Sequence, residues 1–369
     1  MPAAVSRPLA ALAVAVALVA TAQVTLGGQD AQPQATAYLT LAPKARAHVF
    51  APARRTKAPK PASLRARARQ SADAYVPNDP LWPASWSLAK VRAPVAWRVT
   101  TGSPDVVVAV LDTGVDQAHP DLRGALVPGW DAVHEDPQAD DDHGHGTAVA
   151  GVIAARSNNA IGVAGACGRC SLMPIKVIDA AGTGTTADIV EGLTWAADHG
   201  ADLINLSFVM SGRDDRVAAA IDYARARGSL VVAATGNTGA GGGTTFPASH
   251  PGVVSVTATD GADKRYSWST HGGWVSLAAP GCSQSTFPGG GYGEFCGTSS
   301  AAAFASGGLA LVRSAVRNAS SEIVYSMVAT SAVPVGGFVA SGRIDVAAPL
   351  EQPAADCCAR AVTGGALKG

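Results

Sequence analysis

Short apolar runs and helix-length stretches alternate along most of this chain. Val106–Leu111 is continuously apolar and ends in Asp112-Thr113-Gly114, which predicts a buried strand running into a turn. Similar runs recur at Leu172–Ile178, Asp202–Leu206, Leu230–Ala234 and Val253–Thr257. Between them, Ala187–His199 and Asp215–Arg227 read as helices, each closed by a glycine (Gly200, Gly228) at a position suited to a left-handed cap. Ala301–Val316 predicts a further helix, opened by Ser299. Strands alternating with helices imply βαβ units: an α/β fold of three layers, with a mostly parallel central sheet covered by helices on both faces.

The pattern fails at both ends. Residues 23–72 show no sustained periodicity and are rich in Ala, Pro and Arg. They carry nine basic side chains against one acid, Asp30, a net of +8 inside a chain whose formal charge is zero. The remainder from residue 73 must therefore be acidic. A basic stretch of this size can bind nucleic acid, but here it is confined to a Pro/Ala-rich leader, so no nucleic-acid partner is expected. Before it, Arg7, the apolar run Leu9–Ala20 and Ala20-Thr21-Ala22 have the form of an export signal. That run is too short to span a bilayer, and no later one is long enough, so no membrane association is expected once the signal is removed. The expected organisation is a signal peptide at 1–22, a basic pro-segment at 23–74, one domain at 75–350 and a loose tail at 351–369. The protein is expected to be secreted, extracellular or periplasmic.

The six cysteines suit an oxidising compartment. Six allow 15 pairings. Cys282 and Cys296 flank a Gly-rich loop that can fold back on itself and form the favoured pair. Cys167-x-x-Cys170 could be a redox or zinc half-site, but with no second such motif or His pair nearby a structural disulfide is favoured. Cys357 and Cys358 are adjacent.

Candidate chemistry sits at the ends of the apolar runs. Val110-Leu111-Asp112-Thr113-Gly114 is followed by His119-Pro120-Asp121-Leu122. His143-Gly144-His145-Gly146-Thr147 and Gly297-Thr298-Ser299-Ser300-Ala301 come later. A serine hydroxyl becomes a nucleophile when an imidazole accepts its proton, and a buried carboxylate must hold that imidazole in the right tautomer. Asp112 at a strand's carboxyl end, with His145 and Ser299 each opening a helix of small residues, supplies all three. Val231-Val232-Ala233-Ala234-Thr235-Gly236-Asn237 is a strand ending in an amide that could donate to an oxyanion. Each motif alone is weak; their joint occurrence in the order Asp…His…Ser is specific.

On these motifs the chain resembles the subtilisin-like serine peptidases, thermitase-type enzymes especially, over roughly residues 76–350. Pro77-Asn78-Asp79-Pro80 and Ser207 in Ile204-Asn205-Leu206-Ser207 belong to the same pattern. The resemblance implies a secreted serine endopeptidase acting on polypeptides, with Asp112, His145 and Ser299 as triad and Asn237 in the oxyanion hole. His145, followed by Gly-Thr, takes the role for which His143 competes. The resemblance also implies a zymogen whose own pro-segment is a partner, a monomer, and no organic cofactor.

It implies structural Ca²⁺ as well, held by Asp79, Asp121, the Asn159 side chain and the carbonyls of Arg156, Ile161 and Val163, a hard-oxygen set. A second loop, Asp131, Asp136 and Asp140, is weaker because His134 replaces a carboxylate. Substrate would pair near Ser207, Phe208, Val209 and Gly236. Here Phe208-Val209-Met210 replaces a run that is glycine-rich in the family, so the pocket walls are expected to be narrower. Ala303 replaces a common proline, a change a helix tolerates. A binding module built on this fold, and an esterase, are the alternatives. The complete triad argues against the first, and the motif order without a G-x-S-x-G elbow argues against an α/β-hydrolase.

Overall fold

Strand alternation sorts the apolar residues into two cores. The computed structural model describes residues 75–239 and 243–351. The signal, the basic segment, the tail and Cys357–Cys358 lie outside them. Strand β1 (Val107–Asp112) turns Val108 and Val110 to one face and Ala109 and Leu111 to the other, all without solvent exposure. The first pair joins a core with helices α1 (His145–Ala154), α4 (Thr298–Ala315) and α5 (Ser321–Thr330). The second joins a core with α2 (Thr186–Asp198) and α3 (Asp215–Ala226). The same split recurs in β5 (Leu230–Ala234), with Val232 and Ala234 on one side and Val231 and Ala233 on the other. These are the three layers expected from the alternating pattern.

The sheet also contains β2 (Trp130–Asp131), β3 (Ser171–Lys176), β4 (Leu203–Leu206), β6 (Val254–Thr259), β7 (Leu277–Pro280) and β10 (Gly342–Arg343). Its eight strands run β10-β7-β6-β5-β4-β1-β3-β2, with every pairing parallel. A separate antiparallel hairpin, β8 (Cys282–Phe287) and β9 (Gly291–Cys296), leads directly into α4. Cys282 faces Cys296 across it and is disulfide-bonded to it; Cys167 and Cys170 form a second disulfide among the described residues.

Local signals place the helix ends. Thr185 and Asp188 form a reciprocal capping box on α2, and Asp214 caps α3. Gly200 and Gly228 follow with φ of 81° and 96°, the left-handed conformation that ends a helix at little cost in glycine. Helix α4 is buried from Thr298 to Arg313, so it passes through the core instead of covering it. Its Ala, Gly and Ser residues let neighbouring chains come close: a Cβ on Gly307 would meet Ile153 O at 2.9 Å.

Candidate active site

The carboxyl ends of β1, β4 and β5 and the amino ends of α1 and α4 meet at one edge of the sheet. Asp112 is the last residue of β1 and is fully buried. Its Oδ1 accepts from Thr113 N at 2.8 Å and pairs with His145 Nδ1 at 2.7 Å. His145 opens α1, and Gly146 beside it is what lets the helix approach, because a Cβ there would stand 2.0 Å from Gly114 O. Burial lowers the basicity of His145, but the charge and hydrogen bond of Asp112 and the charge of Asp141 outweigh it, so its pKa is raised overall. The Phe295 ring packs edge-on against the imidazole at 5.4 Å.

Ser299 stands in the first turn of α4, and its Oγ donates to the Ser207 carbonyl at 3.0 Å. Ser207 Oγ in turn donates to Ser299 O at 3.3 Å and accepts from Asn205 Nδ2 at 2.8 Å, and Ser306 Oγ donates to Asn205 Oδ1 at 2.9 Å. The end of β4 is thereby tied to helix α4. Asn237 Oδ1 accepts from both the N–H and the hydroxyl of Thr298 at 2.9 Å, which fixes the amide and leaves Nδ2 as its unspent donor among the described residues. Gly236 N donates to Thr298 Oγ1 at 3.0 Å. His143 is exposed and lies edge-on to His145 at 6.5 Å.

Four supporting residues had no motif of their own. Thr298 holds the Asn237 loop. Asp141 accepts from Thr113 Oγ1, from the N–H groups of His143 and Gly144, and from both the N–H and the hydroxyl of Thr147. It therefore ties the end of β1 to the first turn of α1. Thr113 Oγ1 also accepts from Gly146 N at 2.9 Å. Lys176, buried at the end of β3, donates to Thr113 O, Ile178 O and Asp142 Oδ1. A lone lysine in an apolar run gave no hint of this.

On the substrate side, Phe208 turns into the second core, so only its main chain faces outward. Val209 is half-exposed and Gly236 is buried with φ 95°.

The residues expected to hold a cation do converge. Asp79 and Asp121 are both buried. Asp79 accepts from the N–H groups of Asn158 (2.8 Å) and Asn159 (3.1 Å). Asp121 accepts from Asn159 Nδ2 (2.7 Å) and Val163 N (2.8 Å). Burial raises both carboxyl pKa values, and the charge of Asp79 raises that of Asp121 further. Tyr292 covers the loop, its hydroxyl pushed up to about 12 by burial and by Asp121. Among the described residues no donor reaches the carbonyls of Arg156, Ile161 or Val163. Two buried carboxylates beside free carbonyl oxygens form a donor set that fits a hard cation. Asn159 Oδ1, however, accepts from Ile161 N at 3.0 Å.

The second loop differs. Asp131 is taken up by Val133 N, His134 N and the His134 ring at 2.8 Å. Asp136 pairs with Asp131 only through backbone, and Asp140 lies on another cavity with Asp116 and Asp141.

A parallel three-layer α/β fold carrying a carboxylate, an imidazole and a serine in this chain order defines a hydrolase of the serine nucleophile class. Residues 103–352 match the subtilase family, and the chain belongs to it. It is 38% identical over 274 residues to thermitase of Thermoactinomyces vulgaris, covering 73% of this chain and 98% of that protein. It is 43% identical over 234 residues to subtilisin Savinase of Lederbergia lenta, covering 62% and 83%. Among solved structures, a protease of Pseudoalteromonas arctica superposes with a TM-score of 0.70 at 30% identity, covering 74% and 98%. The protein is thus a subtilisin-like serine endopeptidase.

Proposed function

We propose that Ser299 is the nucleophile, His145 the general base and acid, Asp112 its orienting carboxylate and Asn237 an oxyanion donor. The observation that carries this reading is the 2.7 Å contact of His145 Nδ1 with buried Asp112, which leaves Nε2 as the ring's acceptor. An extended polypeptide would add along the Ser207–Val209 main chain, with Phe208 contributing backbone and Gly236 the opposite wall. Its N–H would compete for the Ser207 carbonyl that Ser299 Oγ occupies and free the hydroxyl to turn to His145.

The Oγ–C bond then forms as Nε2 takes the Oγ proton and the carbonyl π pair moves onto oxygen, where Asn237 Nδ2 donates. Collapse breaks the C–N bond, and the imidazolium proton leaves with the amine. Water, activated by the same imidazole, hydrolyses the acyl-enzyme and restores Ser299.

Asp79, Asp121, Asn159 and the carbonyls of Arg156, Ile161 and Val163 would hold Ca²⁺, which when bound neutralises two buried carboxylates and stiffens the loop after α1. Residues 1–22 direct export, 23–74 form a pro-segment removed from a monomeric 75–350 enzyme, and 351–369 remain as a tail. Support for export is the signal pattern and the two disulfides.

Fluorophosphonate labelling of wild type and Ser299→Ala, with casein digestion alongside, tests the reading. Labelling and digestion by wild type alone are expected. A calcium-loaded, folded wild type that neither labels nor digests would refute it.

A further inference from the structure

Strands β4 and β5 are in register up to Leu206 and Ala233 and then part, one chain continuing as 207–210 and the other as 235–237. Ser299 Oγ lies against Ser207 O on one side of this gap, and Asn237 is pinned by Thr298 on the other. A carbonyl carbon attacked by Ser299, with its oxygen toward Asn237, must sit across the mouth of the gap. The side chain of that same residue then has one way to go, into the crevice beyond the carboxyl ends of the two strands.

The crevice is already partly filled. A Cβ built on Gly236 would stand 3.2 Å from Val209 Cγ1, 3.6 Å from Thr270 Oγ1 and 3.9 Å from Thr245 Cγ2. The Val209 methyl therefore lies over Gly236, in space that the missing side chain of the glycine leaves open. Val209 is also held there. Phe208 before it is buried in the second core, and Met210 after it donates to Phe246 O at 2.8 Å with its own side chain buried. A β-branched side chain between two anchored residues has little rotamer freedom with which to swing clear.

We infer that Val209 determines specificity by shortening this crevice, so that the residue supplying the attacked carbonyl must be small: glycine, alanine or serine, not an aromatic or a long aliphatic. The inference rests on the proposed roles of Ser299 and Asn237. Removing the isopropyl group restores depth, and a difference of a single methylene group in an apolar pocket is worth about 10- to 200-fold in kcat/KM.

The test compares tetrapeptide p-nitroanilides that differ only in the last residue (Gly, Ala, Leu or Phe), with active sites of the full chain counted by fluorophosphonate. Wild type is expected to favour Ala over Phe by about 10-fold or more. Val209→Gly should raise Phe and Leu cleavage per labelled active site by about 10- to 200-fold and reverse the order. Val209→Ala, which keeps a Cβ and disturbs the backbone less, should shift the ratio the same way by a smaller factor. A wild type that labels and cleaves Phe as well as Ala overturns the inference alone, as does a labelled variant with an unaltered ratio. A wild type whose Ser299 does not label overturns the serine mechanism and this inference with it.

Discussion

Asp112 and Asp121 are nine residues apart, both fully buried, yet they sit in opposite electrostatic settings. Asp112 faces an imidazole that can become a cation. Asp121 faces amide donors, a tyrosine and, through the same loop, a second buried carboxylate. A buried charge is tolerated when something nearby compensates it. At Asp112 the compensation is built into the chain and is available for chemistry as His145 takes up a proton. At Asp121 the chain supplies two charges of one sign, and the pKa of each carboxyl rises. The first arrangement suits a catalytic group; the second calls for an external cation.

The largest expected effect lies on the catalytic side. Asp112→Asn should cost about 10⁴-fold in kcat by releasing the His145 tautomer, with little change in melting temperature. Asn237→Ala should cost about 10²–10³-fold, the loss known for such an amide in subtilisin itself. If either variant instead melted early with normal turnover, the contrast would collapse.

On the other side, EDTA or Asp121→Asn should lower the melting temperature by about 5–10 °C, the equivalent of roughly 2.7 kcal/mol at a hundredfold excess of Ca²⁺ over its Kd. Turnover of the protein that remains folded should be kept. The pH dependence sharpens this. Asp79 and Asp121 have folded pKa values above their unfolded ones, so the metal-free protein has its full contribution from them only below about 3.8 and loses it as pH rises through the folded values. The calcium-dependent gain in melting temperature should therefore grow with pH, and a gain independent of pH would exclude these carboxylates as the ligands.

The smallest effect concerns Asp141. In the proposed mechanism hydrolysis needs neutral His145, so the rate should climb as pH passes its raised pKa. Removing the Asp141 charge in Asp141→Asn should move that acid limb to lower pH, as a kcat/KM profile would show. Below the unfolded histidine value of 6.5 the protonated His145 contributes stability, which is lost as pH rises through the folded pKa.

Much of this was legible in the chain itself. The strand expected at 230–234 is found at Leu230–Ala234, and the other expected strands differ by one or two residues at an end. Helices expected at 187–199 and 215–227 lie at Thr186–Asp198 and Asp215–Ala226. Parallel strands buried on both faces leave uninterrupted apolar runs, which is why they stand out. The fold-back between Cys282 and Cys296 was expected, but its strand pairing, the helix Ser321–Thr330 and the short strands β2, β7 and β10 were not. The hairpin is polar and Gly-rich, and its pairing is settled by the disulfide and by its packing on α1, through Ser285 and Thr286 bonding to the carbonyls of Ala148 and Thr147.

By itself the sequence marked the candidates for chemistry, Asp112, His145, Ser299 and Asn237, because their strand-end and helix-start motifs are local and keep their order. Tertiary structure alone decided what supports and restricts them: Thr298 on Asn237, Asp141 and Lys176 around Thr113, Phe208 turned inward, Val209 laid over Gly236. Those contacts join segments tens of residues apart, and a contact between distant segments leaves no periodicity in either one. It exists only once the parallel sheet has brought the ends of β1, β4 and β5 to one edge.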